Sequence, residues 1–504
     1  MTERCGGILL HISALPGDYG IGDLGEKAYQ FVDFLARAGQ KIWQILPLAP
    51  PGFGNSPYQS VSVFAGNPLF IDLVEFTRKG WITEADLGKL KIENRGDKVL
   101  YDAIAADRTE ILDKIYAAFL EKEKNGEEVT TINNFRTFQE ENAFWLKDYA
   151  LFMTLKEKFS GKSWDRWPRR YKFKGKSALR ETLRENADRI RRHAFIQFVF
   201  YRQWQALKAY ANEKNIRIFG DLPIYVSTDS ADAWGNRSLF QFTKYGKAKR
   251  VAGCPPDYFS KTGQLWGNIL YDWKAIRERR YAWWLARLSH SFRIYDLIRL
   301  DHFIGFSAYW SIPAGDPTAM YGRWEKGPGM SLFGLARKKL GSLPIVAEDL
   351  GVLSEQVRKL LRDTGFPGMK ILQFAFDSPD SEYLPHRIPE KAFAYTGTHD
   401  NNTLEGWLAE APEHVKNYAA DYVRGWLNEG GTTAPLREQM ICALMKSAAE
   451  AVVIPLQDYL GTGAEGRFNI PSTVGDNWSW RVEEEKLDNK LAEYIRGITL
   501  KYQR

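Results

Sequence analysis

Cysteine is scarce in this chain. Three residues in 504, Cys5, Cys254 and Cys442, are too few for a disulfide framework, and no CxxC or Cys/His ligand spacing occurs. That usage points to a reducing cytoplasm and away from a secreted scaffold or a zinc site. Long hydrophobic runs are also missing. Nothing approaches the roughly 18 apolar residues of a membrane span, and the apolar stretch near Met1 is too short for a secretory leader. No GxxxxGK[ST] phosphate loop is present, and Gly461-Thr-Gly-Ala-Glu-Gly466 precedes no helical pattern, so it reads as a flexible loop. No GxSxG or comparable setting marks a Ser or Cys nucleophile. An excess of one charge is lacking too: 69 Lys+Arg against 62 Asp+Glu leave a net +7. The basic stretches at 166–176 and 189–192 are followed closely by acids, as on a solvated face and not a nucleic-acid footprint. These absences describe a soluble, cytosolic chain with neither a membrane nor a nucleic acid as partner.

What is plentiful is aromatic: 70 residues, made up of 17 Trp, 24 Tyr and 29 Phe. Most suit a large core, but such residues also line sugar-binding grooves. Short apolar, β-branched runs recur at 7–15, 41–48, 216–226, 294–301, 343–349, 369–374, 392–400 and 451–458, with amphipathic helical stretches between most of them. Asp23-Leu-Gly-Glu26 reads as a capping box ahead of the first helix. Eight strands alternating with helices predict an α/β fold, a (β/α)8 TIM barrel in a single catalytic domain spanning 1–504. The excess length is assigned to a mainly helical insertion at 49–215 after strand 2 and a second at 227–293 after strand 3. About 46 residues follow the eighth run, so no C-terminal β-domain is expected.

In such a barrel the active site lies at the C-terminal strand ends, and five of the eight runs end in or run into a carboxylate: Asp221, Asp301, Glu348, Asp400 and Asp458. One strand-end Asp is ordinarily a cap or turn residue. Five around one mouth repel one another, which chemistry explains better than stability does. Arg299 and Asp301 are i and i+2 on a strand and face the same way, so the guanidinium is expected to keep Asp301 ionised. Glu348 ends a buried apolar run, where a carboxyl holds its proton, while Asp349 reads as the following turn or cap. An ionised and a protonated carboxyl are what a glycosidase uses, with a separation of roughly 5–5.5 Å marking retention. His399 and Asp400 could bind sugar hydroxyls. His302, His399, Asp301 and Asp400 could instead hold a metal, although no HxH or HExxH spacing is present. His11 reads as a core or rim histidine.

The motifs Ile298-Arg-Leu-Asp-His-Phe303, Val346-Ala-Glu-Asp-Leu-Gly351 and Gly397-Thr-His-Asp-Asn-Asn-Thr403 resemble the conserved regions of the α-amylase superfamily. More closely, the chain resembles the 4-α-glucanotransferases (amylomaltases, disproportionating enzymes) of glycoside hydrolase family 77. Asn55-Ser-Pro-Tyr-Gln-Ser60, Gly220-Asp-Leu-Pro-Ile-Tyr225, Gly253-Cys-Pro-Pro-Asp-Tyr-Phe-Ser260, Gln264-Leu-Trp-Gly-Asn268 and Arg467-Phe-Asn-Ile-Pro471 carry the same resemblance, in order along residues 6–480. Cys254 stands where a small residue such as Ala is expected. The resemblance implies a retaining double displacement, with Asp301 as nucleophile, Glu348 as acid/base and Asp400 as transition-state stabiliser. It implies substrate contacts from Tyr58, Asp221, Asp257, Trp266, Arg299, His302, Phe374, His399 and Asn469, with 460–471 as a mobile lid. Maltooligosaccharides and α-1,4-glucans would be donors and glucose an acceptor, with no cofactor and no metal. Trp234 is a further candidate platform. An α-glucan hydrolase, a non-catalytic glucan-binding protein and a metal-dependent hydrolase are the competing readings.

Overall fold

The apolar runs become strands, but shorter ones than their composition suggests. The computed structural model describes residues 4–90, 98–256, 260–351, 353–428 and 433–504. Its barrel strands are β1 (Cys5–Leu9), β2 (Ile42–Gln44), β3 (Arg217–Leu222), β4 (Leu297–Leu300), β5 (Ile345–Ala347), β6 (Gly368–Ile371), β7 (Ala392–Tyr395) and β8 (Ala451–Pro455). Each pairs in parallel with the next and β8 pairs with β1, so the eight-stranded barrel expected from the sequence is closed. Most runs overshoot their strands at the C-terminal end. The third was expected to reach Val226 and the seventh Asp400, but the ladders stop at Leu222 and Tyr395. Beyond the last ladder hydrogen bond the apolar composition continues, but after β1, β6 and β8 the chain turns into short helices at Ile12–Ala14, Leu372–Phe374 and Leu456–Leu460, so composition alone does not mark the boundary.

Alternation sorts the strand residues into two layers. Leu9, Ile42, Phe219, Val346, Met369, Ile371, Phe393, Tyr395 and Val453 fill the barrel. Ile8, Trp43, Ile218, Ile298 and Val452 face the surrounding helices. Gly220 on β3 is required by a close approach, because a Cβ there would lie 2.3 Å from the Tyr295 ring. The first helix (Glu26–Arg37) buries Phe31, Val32, Phe34 and Leu35, yet it begins without the predicted capping box. Gly25 is its cap, and Asp23 accepts the Gly25 N–H at 3.0 Å.

Between β2 and β3 the chain builds helices at Tyr101–Lys124, Val129–Glu141, Ala143–Lys158 and Lys176–Glu185, which pack on the long helix Ala187–Glu213. Much of the aromatic surplus is spent there: Phe119, Phe135, Phe195 and Phe198 form a contiguous cluster, with Phe119 and Phe195 stacked at 4.3 Å. Trp234 is fully buried and donates to the Tyr171 carbonyl, so it is core and not a platform.

The sequence pattern did not disclose a second sheet. Gln264–Ile269, Arg250–Cys254, Ala308–Pro313 and Arg323–Lys326 pair antiparallel in that order. Two of its strands come from the β3–β4 connection and two from the β4–β5 connection, so the 227–293 segment is only half of that structure. Among the described residues no helix is long and apolar enough to cross a membrane.

Candidate active site

Arg299 organises the mouth of the barrel. It lies buried on β4 with its side chain inside, and its planar fork reaches three carboxylates. Nη1 meets Asp221 Oδ2 at 2.6 Å, while Nη2 meets Glu348 Oε1 at 2.9 Å and Asp301 Oδ1 at 3.2 Å. Asp301 follows β4 two residues after Arg299, on the same side, as alternation requires. Glu348 follows β5, and the next residue, Asp349, turns the other way and accepts the Met369 N–H at 2.7 Å. Asp349 is therefore a structural tie to β6, the turn role read from the sequence.

The backbone after the nucleophile candidate is unusual. His302 has φ 48°, the left-handed region that a non-glycine residue occupies only when its surroundings hold it there. That turn aims the His302 N–H at Glu348 Oε2, 2.6 Å away. Both oxygens of Glu348 are thus held, one by a guanidinium and one by a backbone amide.

Asp400 is positioned differently. A turn in which Asn401 Oδ1 accepts both the N–H and the hydroxyl of Thr398 carries His399 and Asp400 to the rim. Asn469 Nδ2 donates to Asp400 Oδ1 at 2.7 Å, and Arg467 Nη2 donates to the Asp400 carbonyl at 2.7 Å. His399 stacks on Tyr58, ring centroids 5.1 Å apart, and Trp478 leans on both rings. On the opposite wall the Trp266 ring meets His302 edge-on at 4.9 Å, and Gln59 ties that wall to the Tyr58 segment through the Trp266 carbonyl and Asn268.

The electrostatics depart from the sequence expectation in one respect. Burial, followed by the neighbouring Glu348 carboxylate, pushes the Asp301 carboxyl well above its ordinary value, and Arg299 only partly opposes this. Arg299 was expected to keep Asp301 ionised, but its charge is divided among three acids and its longest contact is the one to Asp301. Burial also raises Asp221 against the pull of Arg299. Burial alone would lower Arg299, but Asp221 and Glu348 hold it firmly charged. Burial keeps the imidazoles neutral, with His302 lowered to about 4 and His11 to about 3. His11 accepts the Leu46 N–H and is the core histidine expected.

Of the twelve residues singled out, the structure brings Asp301, Glu348, Asp400, Arg299, Tyr58, His302, His399, Trp266 and Asn469 into this one mouth. Asp221 is there too, but its side chain is fully buried beneath Arg299 and Tyr58, whose hydroxyl donates to it at 2.8 Å. Its place is that of a positioning residue and not of a contact surface. Phe374 caps the barrel interior beside Tyr383, half-buried. Asp257 lies outside the described residues. Asp458, counted among the converging carboxylates, points elsewhere. It is buried and accepts from the Thr396 hydroxyl at 2.5 Å and the Leu404 N–H at 2.7 Å. Trp478 was missed, since its stretch between Gly475 and Trp480 has no periodicity to flag it. Among the described residues no group of three or more His, Cys, Asp or Glu side chains is arranged to hold a metal.

A family model described as 4-alpha-glucanotransferase matches residues 10–487. The chain belongs to the 4-α-glucanotransferase family. It is 44% identical to a 4-alpha-glucanotransferase of Streptococcus pneumoniae over 100% of this chain and 98% of that one. It is 43% identical to a 4-alpha-glucanotransferase of Thermus thermophilus over 98% of each. Among solved structures, an amylomaltase from Streptococcus agalactiae in complex with acarbose superposes with TM-score 0.95 at 40% identity, covering both chains fully. The motifs at 298–303, 346–351 and 397–403 thus end or follow β4, β5 and β7 and carry Asp301, Glu348 and Asp400 to this mouth.

Proposed function

We propose that this 4-α-glucanotransferase moves a segment of an α-1,4-glucan to the 4-hydroxyl of glucose or of another glucan, with Asp301, Glu348 and Asp400 as its catalytic groups. One observation carries the reading. A single nitrogen, Arg299 Nη2, touches both Asp301 and Glu348, so the two oxygens that it contacts lie within about 6 Å of one another. That is closer than the roughly 6.5–9.5 Å an inverting pair leaves for water. Asp301 attacks the anomeric carbon while Glu348 gives its proton to the departing glycosidic oxygen. The donor then remains covalently on Asp301. Glu348, now a carboxylate, takes the proton of the acceptor 4-hydroxyl as that oxygen displaces Asp301, and the α-1,4 bond is remade.

The pair needs one shared proton. That proton must sit on Glu348, with Asp301 ionised, at the moment of attack, although burial and the adjacent Glu348 raise the Asp301 carboxyl. A glycosidic oxygen presented to Glu348 accepts a hydrogen bond there, and positive charge developing at the anomeric carbon favours ionised Asp301. Asp400, held by Asn469 and beside His399, is placed to bind ring hydroxyls as the sugar flattens. Tyr58 and Trp266 supply aromatic walls for the donor and acceptor sides, and an ordered acceptor sugar in a walled site outcompetes water. Scarce cysteine and the absence of a membrane-spanning helix among the described residues support a cytoplasmic location.

Incubation with maltotriose tests the reading. Glucose plus longer oligomers at constant total reducing ends is the expected result, while a matched rise in reducing ends would make the protein a hydrolase.

A further inference from the structure

The antiparallel sheet that carries Trp266 has a second, outward face with its own aromatic row. Leu265, Gly253, Trp310 and Trp324 stand directly opposite one another across its four strands, so their side-chain positions share one face. Trp266 follows Leu265 and faces the other way, into the mouth, against His302. At about 4.8 Å between strands the row runs roughly 14 Å outward from the cleft-side edge. Trp324 is 55% exposed and Tyr321, from the turn above it, 74%, with Leu265 and Met320 also exposed. These are large apolar side chains left in water together. The row is also fixed: Trp310 Nε1 donates to the Ala319 carbonyl at 2.8 Å, and the Trp310 and Trp324 rings meet at 5.4 Å and 69°.

We propose that this face is a second glucan-binding surface, which holds the distal part of a long α-1,4-glucan whose reacting end occupies the cleft. The occupant follows from continuity, because residues 265 and 266 of one strand present the outer row and the cleft wall respectively. A polymer leaving the cleft over that edge strand meets the row within one residue's width. It also follows from chemistry. Rigid aromatic faces stack on the C–H faces of sugar rings at little entropic cost. The surface adds affinity for long chains by making their second contact intramolecular, and it offers nothing to a substrate too short to span both places.

This inference rests on the glucan-transfer reading, so its test separates the two. The Trp324→Ala/Tyr321→Ala double variant and Trp324→Phe are compared with the wild type in native gels containing soluble amylose, and in kinetics on amylose and on maltotriose. The double variant should lose most of the wild-type retardation by amylose. Its kcat/KM on amylose should fall about 5- to 10-fold, with rates on maltotriose within about twofold and an unchanged Tm. Trp324→Phe should keep most of both properties. Unchanged retardation and unchanged amylose kinetics in the double variant would overturn the proposal. So would equal losses on maltotriose, or a wild-type dimer in sedimentation that the variant converts to monomer, which makes the face a contact between copies. A wild type inactive on maltotriose but retarded by amylose through this face would sink the transfer reading alone.

Discussion

Asp301 and Asp458 each follow a barrel strand at the same end of the same ring, yet they meet opposite fates. Asp458 is closed off, its oxygens taken by the Thr396 hydroxyl and the Leu404 amide. Asp301 keeps about a quarter of its side chain open and has one arm of a shared guanidinium. Asp458 is made structural by burial and by donors on both of its oxygens, whereas Asp301 is left a side open to the mouth and only a share of one cation. The difference lies in the donors around each acid and not in its place along a strand.

The largest test of that contrast is Asp301→Asn. Transfer should fall by about 10⁴-fold or more, while thermal stability holds or rises, since the amide replaces a carboxyl whose charged form burial and Glu348 disfavour. A large loss of stability would make Asp301 a second Asp458. Next is Arg299→Lys, where a point charge replaces the fork and cannot span Asp221 and Glu348 together. A fall in kcat of about 10²- to 10³-fold with a measurable drop in Tm is expected, and near-wild-type kinetics would show that the shared contact does not organise the pair. Asn469→Ala removes the donor on Asp400 and should lower kcat about 10-fold with little change in Tm. A change confined to KM would place Asn469 on the substrate instead.

The smallest effect concerns Asp458 itself. Burial lifts its carboxyl from 3.8 to about 6. Between those values the folded protein holds a proton that the unfolded chain gives up. Its stabilisation is therefore full below about pH 4 and is lost as pH rises through about 6, by up to about 3 kcal/mol. The wild type should lose Tm more steeply across that window than Asp458→Asn. Parallel profiles would mean that Asp458 does not titrate there.

The barrel was legible because eight β-branched runs alternate with helical periodicity, a pattern that only a few architectures satisfy. The chemistry was legible where alternation applies, as for Arg299 and Asp301, and where Glu348 and Asp349 split to opposite sides. Three things escaped for physical reasons. The second sheet is assembled from two separate connections, so no contiguous pattern announces it. Asp458 looks like its neighbours until its donors are seen. The upward push on the Asp301 carboxyl comes from burial first and then from Glu348, with only a share of Arg299 against it, and none of these can be read along the chain.

The left-handed turn at His302 bears on how such a site could diversify. A main-chain N–H and a single buried arginine hold the two carboxylates, and of the two rings proposed as sugar walls only Tyr58 touches that framework through hydrogen bonds, at Asp221 and Arg299, while Trp266 has none to it. Selection or engineering at the Trp266 position can then retune which saccharide is welcomed without redrawing the reaction itself.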